Sequence, residues 1–101
     1  MIANIKDSKL EFKLVQDVTA SWVQGKLEQM RRMMKEEKSY QEVVIDMEDV
    51  EVIDSIGISL IIGLYKSSCK LSKDFKVVGL NGRIKSLFEM MRLDQVFSVE
   101  R

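Results

Sequence analysis

No histidine occurs anywhere in the 101 residues. That absence removes Ser-His-Asp and Cys-His catalysis, histidine-based zinc sites and histidine phosphotransfer together. The one cysteine, Cys69, has no partner for an internal disulfide. It falls in an apolar helical pattern, which predicts a small buried core residue rather than a reactive thiol. Sixteen basic residues cancel sixteen acidic ones, so the strongly basic footprint of a nucleic-acid binder is missing. No stretch approaches the ~20 consecutive apolar residues of a membrane span. Met1 to Asp7 contains no apolar segment of signal-peptide length. The expected compartment is therefore the cytoplasm, with no cofactor, no nucleic acid and no membrane insertion.

What is present is the composition of an ordinary soluble globular protein, 46% hydrophobic and 32% charged. The length suits one domain, residues 1–101, with one modest core and a net stability of about 5–15 kcal/mol. Along the chain, Ile2 and Ile5 give a weak strand signal. Leu10, Phe12 and Leu14 alternate with Glu11 and Lys13, the two-residue period of a half-buried strand. Asp7-Ser8-Lys9 between them is turn-like, so an edge hairpin is expected. Asp17 to Ala20 offers capping side chains for one long helix running to about Glu37, with Val23, Leu27, Met30 and Met34 on one face. The methionines of that face are read as core. Val43 to Met47 is a continuous apolar run, as expected of a central strand covered by helices on both faces. A helix from Ile56 to Leu71 carries Ile58, Ile61, Ile62, Tyr65 and Cys69 at helical spacing. Phe75 to Leu80 forms the next strand, parallel to the central one across a crossover. Asn81-Gly82 turns into a further helix with Ile84, Leu87, Phe88 and Met91 inward, and Val96, Phe97 and Val99 offer a short last strand.

Function is expected at Val52 to Ser59. There an Asp, a Ser and a Gly stand together where an apolar strand gives way to a buried helix. Helix starts carry unpaired backbone N–H groups and a partial positive charge. A hydroxyl at Ser55 would be displayed at the surface, and a phosphate on it would sit where the backbone favours negative charge. Acidic residues at Asp46, Glu48 and Asp49 raise the idea of a metal site, but after a strand such residues more often cap turns, and no metal is expected.

On Val44-Ile45-Asp46-Met47, Val50 to Gly57, the apolar helix, Val77 to Leu80, Leu87 and Arg92 to Phe97, the chain resembles STAS domains of the bacterial anti-sigma-factor antagonist family. The resemblance implies an α/β fold, a mixed sheet of four or five strands with three or so helices packed on it. It also implies a partner-switching regulator and not an enzyme. The serine matching Ser55 is phosphorylated by an anti-sigma factor that is an ATP-dependent, Bergerat-type serine protein kinase. The unphosphorylated form binds that kinase, and a PP2C-type serine phosphatase resets the mark. Asp54 and Asp17 match acidic positions near the phosphorylation surface, and Gly57 matches the glycine that opens the helix. The expected partner-facing surround of Ser55 is thus Asp17, Asp54, Ile56, Gly57 and Ser59. The chain departs from the pattern at Val15-Gln16 ahead of Asp17, at Ile56, where a second serine is common, and at Arg92, where a glycine often stands.

Three other readings compete. The same fold serves as a non-enzymatic accessory subunit of membrane transporter complexes, including lipid-transport ATPases. A Ser55 nucleophile lacks a base in a chain without histidine, and no suitably spaced lysine follows it. A phospho-acceptor role for Asp46 lacks the acidic pair that would hold magnesium. Ser59, one turn beyond Ser55, is either a second modification site or a helix serine bonded to a backbone carbonyl.

Overall fold

The computed structural model describes residues 1–101. Strand β1 (Ile2–Lys6) and strand β2 (Lys9–Lys13) form an antiparallel hairpin. Its two-residue turn places Asp7 and Ser8 at positive φ, the backbone that matches hairpin twist. Strands β3 (Glu42–Asp46), β4 (Asp74–Val78) and the short β5 (Ser98–Val99) add in parallel, giving the order β1-β2-β3-β4-β5 with β3 in the middle. The hairpin does sit at the sheet's edge, and the crossover from β3 to β4 is parallel, as the patterning implied.

Pleating sends Leu10 and Phe12 of β2, Val43 and Ile45 of β3, and Phe75 and Val77 of β4 to one face. These residues belong to a single core of 22 buried residues that also takes Met30, Met34, Leu64, Ile84 and Phe88 from the helices. Tyr65, Phe75, Phe88 and Phe97 extend it as edge-on and tilted ring pairs 5.1–6.4 Å apart. The opposite face carries Glu11, Lys13, Glu42, Asp46 and Lys76, with only Val44 buried among them. Lys76 reaches Glu42 at 4.0 Å and Glu100 at 3.5 Å there. The apolar run of β3 therefore does not mean helices on both faces. Val44 is buried in the middle of a charged sheet face, flanked in register by Glu11 and Lys76.

The expected long first helix is two helices, α1 (Ala20–Val23) and α2 (Lys26–Glu36). Gln24 leaves helical geometry and Gly25 takes φ +78°, a left-handed backbone that glycine adopts without steric penalty. The chain changes direction there, yet Leu27, Met30 and Met34 still face the core.

Helix α3 (Ser55–Lys70) buries Gly57, Ile58, Leu60, Ile61, Leu64 and Ser68. Cys69 is exposed, contrary to expectation, and Ser68 is the buried residue of that turn. The helix is rotated from the expected face, and Gly63 faces Leu27 of α2, with the site of a Cβ 3.1 Å from the leucine side chain. With that face inward, Tyr65 is only half-buried and Cys69 is exposed. Ser68 is tolerated inside because its hydroxyl donates to the Tyr65 carbonyl at 2.8 Å.

Helix α4 (Gly82–Met90) buries Ile84 and Phe88, while Leu87 is half-buried and Met91 is exposed. Arg92 then adopts φ +59° before a 3-10 turn at Leu93–Gln95. A side chain in that left-handed conformation is disfavoured relative to glycine.

Candidate functional site

Parallel strands end on the same side of a sheet, so the loops that follow β2, β3 and β4 gather at one edge. The loop after β2 runs beside the loop after β3. Val18 N–H donates to the Val52 carbonyl at 3.0 Å, and Asp54 N–H donates to the Val18 carbonyl at 3.3 Å, a parallel bridge between Val18 and Ile53.

Three side chains tie these loops together. Asp17 Oδ1 accepts from the backbone N–H groups of Glu51 (3.2 Å) and Val52 (3.1 Å). Asp54 caps two helices at once: Oδ1 accepts from Gly57 N–H at 2.8 Å at the start of α3, and Oδ2 accepts from Ala20 N–H at 2.9 Å at the start of α1. The Gly57 and Ala20 amides hold the Asp54 carboxyl below the usual carboxylate range. Asn81 caps α4 through Oδ1 at 2.8 Å from Ile84 N–H, and its Nδ2 donates to the Val50 and Glu51 carbonyls at 3.3 Å. Its place at a helix-opening turn was legible in the sequence. Its reach across to the loop after β3 carries no local signature.

Gly57 is buried where α3 meets the Val18 segment. A Cβ on it would collide with the Val18 carbonyl oxygen and lie 2.8 Å from Ile53 Cγ1. Close approach of helix to loop is thus the reason for glycine here. Asp46 accepts from Glu48 N–H at 2.9 Å, a turn cap. No three Asp, Glu or Cys side chains converge on a point that could hold a metal ion.

Against this framework, Ser55 stands apart. It is the first residue of α3, exposed, and its hydroxyl makes no hydrogen bond within the chain. Its neighbours Val52 and Ile56 are 47% and 48% exposed, and Val15 on the adjoining loop is 43% exposed. A free hydroxyl thus stands, with exposed Val52 and Ile56 near it in sequence, at the start of a helix where the Asp54 carboxylate takes the Gly57 N–H and the Asp54 backbone carbonyl takes the Ile58 N–H. That carboxylate already occupies one amide of the helix start, so a phosphate on Ser55 would arrive as a second anion beside it. Ser59 Oγ donates to the Ser55 carbonyl at 3.1 Å, the backbone-bonded alternative considered for it.

The structure therefore brings Asp17, Asp54, Ser55, Ile56, Gly57 and Ser59 to one loop edge. Asp17, Asp54 and Gly57 hold backbone there, and Ser55 and Ile56 face solvent.

Comparison with known proteins bears on the family and the fold. The family model described as "STAS domain" matches residues 3–101. A Thermotoga neapolitana protein named as a candidate homologue of an anti-sigma factor antagonist is 27% identical over 62 residues, 61% of this chain. The match spans 55% of that relative, little more than half its length. The crystal structure of a candidate anti-sigma factor antagonist from Thermotoga maritima superposes with a TM-score of 0.80 at 18% identity, covering 99% of this chain and 85% of the other. A SulP transporter STAS domain from Vibrio cholerae superposes with a TM-score of 0.79 at 15% identity, covering 97% and 77%. At those identities the two likenesses speak to the fold alone.

Proposed function

The chain belongs to the STAS domain family, and on that premise we propose that it is a partner-switching regulator of the anti-sigma-factor antagonist type. Unphosphorylated, it binds an ATP-dependent serine kinase of the Bergerat type that doubles as an anti-sigma factor. Phosphorylation of Ser55 by that kinase releases it, and a PP2C-type phosphatase restores binding. The protein itself acts as substrate and ligand rather than enzyme, in the cytoplasm.

The observation that carries this reading is the isolation of the Ser55 hydroxyl. The nearby carboxylates of Asp17 and Asp54 are engaged in holding the fold, while the Ser55 hydroxyl is exposed and unbonded. Modifying it removes no structural bond. The exposed Val15, Val52 and Ile56 supply the apolar surface that a partner would cover. A phosphate adds about −1.5 to −2 charges at that spot. Buried against a partner and beside Asp54, such a charge meets desolvation and like-charge repulsion. A loss of about 1.4 kcal/mol already weakens binding tenfold.

Affinity capture from the source cell's lysate with wild-type, Ser55→Ala and Ser55→Asp protein tests the reading. A serine kinase retained by wild type and Ser55→Ala, and lost from Ser55→Asp, is the expected outcome. Equal retention by all three contradicts it.

The fold likeness to a transporter's STAS domain supports a second reading, a static docking module on a membrane transporter. Transporter subunits captured equally by all three proteins, with no kinase, would establish that instead.

A further inference from the structure

A second polar concentration lies at the far end of α3 from Ser55. Eleven residues separate Ser55 from Lys66, about 16 Å along a helix axis. There α2 and α3 run side by side, and between them opens a cleft of about 280 Å³. Glu28, Arg31 and Lys35 line it from α2, and Lys66, Ser67 and Lys70 line it from α3. Leu71 is its one apolar wall. Four cations thus face one carboxylate, in a chain with no net charge overall.

The cleft has a fixed centre. Arg31 is half-buried, and its Nε donates to Ser67 Oγ at 2.8 Å while Nη1 donates to Glu28 at 3.0 Å. Ser67 in turn donates to the Gly63 carbonyl at 3.0 Å. The guanidinium is therefore oriented before any ligand arrives, with N–H groups left over. Lys35, Lys66 and Lys70 have no carboxylate within 4.0 Å and flank it as free ammonium groups. Lys35 and Lys70 stand in the last turns of their helices, where a cation also complements the carbonyl ends. Arg31 and Lys66 have no such explanation. An oriented guanidinium ringed by mobile ammonium groups is the donor set that suits phosphate oxygens.

We propose that this cleft binds a compact phosphate-bearing polyanion through Arg31, Lys35, Lys66 and Lys70. Pyrophosphate, or the phosphates of a lipid headgroup, present the required chemistry. The site is independent of Ser55 phosphorylation and of the partner switch.

The test is an NMR titration of the ¹⁵N-labelled full chain with sodium pyrophosphate, with sodium sulfate at matched ionic strength as the reference. A co-sedimentation arm uses vesicles of phosphatidylcholine with and without a polyphosphorylated phosphoinositide. The expected result is saturable shifts confined to residues around 28–35 and 63–71 with pyrophosphate. Lys66→Gln/Lys70→Gln protein, whose unliganded spectrum elsewhere matches wild type, should bind at least tenfold more weakly. Sedimentation only with phosphoinositide vesicles, lost in the same variant, assigns the phosphates to a lipid source. Absence of binding at millimolar pyrophosphate overturns the proposal, as do shifts spread over lysines of the whole surface or affinity unchanged in the variant.

Discussion

The two ends of α3 differ in what fixes them. At its amino end, the chain's own backbone sets the requirements. Loose N–H groups of α3 and α1 need an acceptor, and Asp54 supplies one oxygen to each. The helix passes so near Val18 that only glycine fits at position 57. At its carboxyl end no backbone demand chooses the residues. Gly63 packs against Leu27, and the helix's rotation leaves Ser68 buried and Cys69 exposed. The amino end is written in residue types that have few substitutes. The carboxyl end is written in a rotation that only the packed neighbour reveals.

The sharpest way to break this contrast is to add one methyl group at each glycine of the helix. Gly57→Ala drives a Cβ into backbone, which cannot yield as a side-chain tip can. A loss of about 3 kcal/mol is expected, at the upper end for overpacking. Gly63→Ala meets only the end of Leu27 and gains up to about 1 kcal/mol of helix propensity, so it should lie near wild type. Urea unfolding of both variants checks this, and equal stabilities would remove the distinction.

Asp54→Asn comes next. It leaves a neutral acceptor at a doubly donated position, and a melting temperature lower by several degrees is expected, with faster hydrogen exchange at the Ala20 and Gly57 amides. The pH dependence follows in sign. Because the folded carboxyl titrates below its unfolded value of about 3.9, its contribution is complete above that pH. It fades as the pH falls through the lower folded value. Wild type should therefore lose more stability than Asp54→Asn between pH 5 and pH 2, measured by thermal melts in matched salt. Parallel curves would contradict the double cap.

The other end gives one comparable effect and the smallest one. Ser68→Leu should cost about 1–3 kcal/mol by overpacking, whereas Cys69→Ser should stay within about 0.5 kcal/mol. Cys69 should also react with a thiol reagent in the native protein nearly as fast as in urea. A protected Cys69 would restore the buried position that its apolar neighbours suggest.

Much of the fold was legible because its signals are local. The alternation of Leu10, Phe12 and Leu14, the unbroken Val43-Val44-Ile45 and the turn at Asn81-Gly82 each correspond to an element of the structure. The break at Gly25 was hidden because Val23, Leu27, Met30 and Met34 keep a helical spacing across it. The open sheet face was hidden because Val44 is apolar yet flanked in register by charged Glu11 and Lys76. Within the candidate site, the types of Asp54, Ser55 and Gly57 were informative. The partners were not: Asp17 reaches 34 and 35 residues along the chain, and Asn81 reaches 30 and 31 residues back. Such pairings arise only when parallel strands bring their following loops to one edge.

That edge separates residues that hold the fold from a serine that does not. The direct test is a titration of the serine kinase captured by wild type against wild-type, Ser55→Ala and Ser55→Asp protein, with melting curves recorded on the same samples. All three should melt within a few degrees of one another, as surface substitutions do. Ser55→Ala should bind as wild type does, and Ser55→Asp should bind at least tenfold more weakly. Equal affinities, or a loss of binding that merely follows a collapse in melting temperature, would contradict a switch that leaves the fold intact.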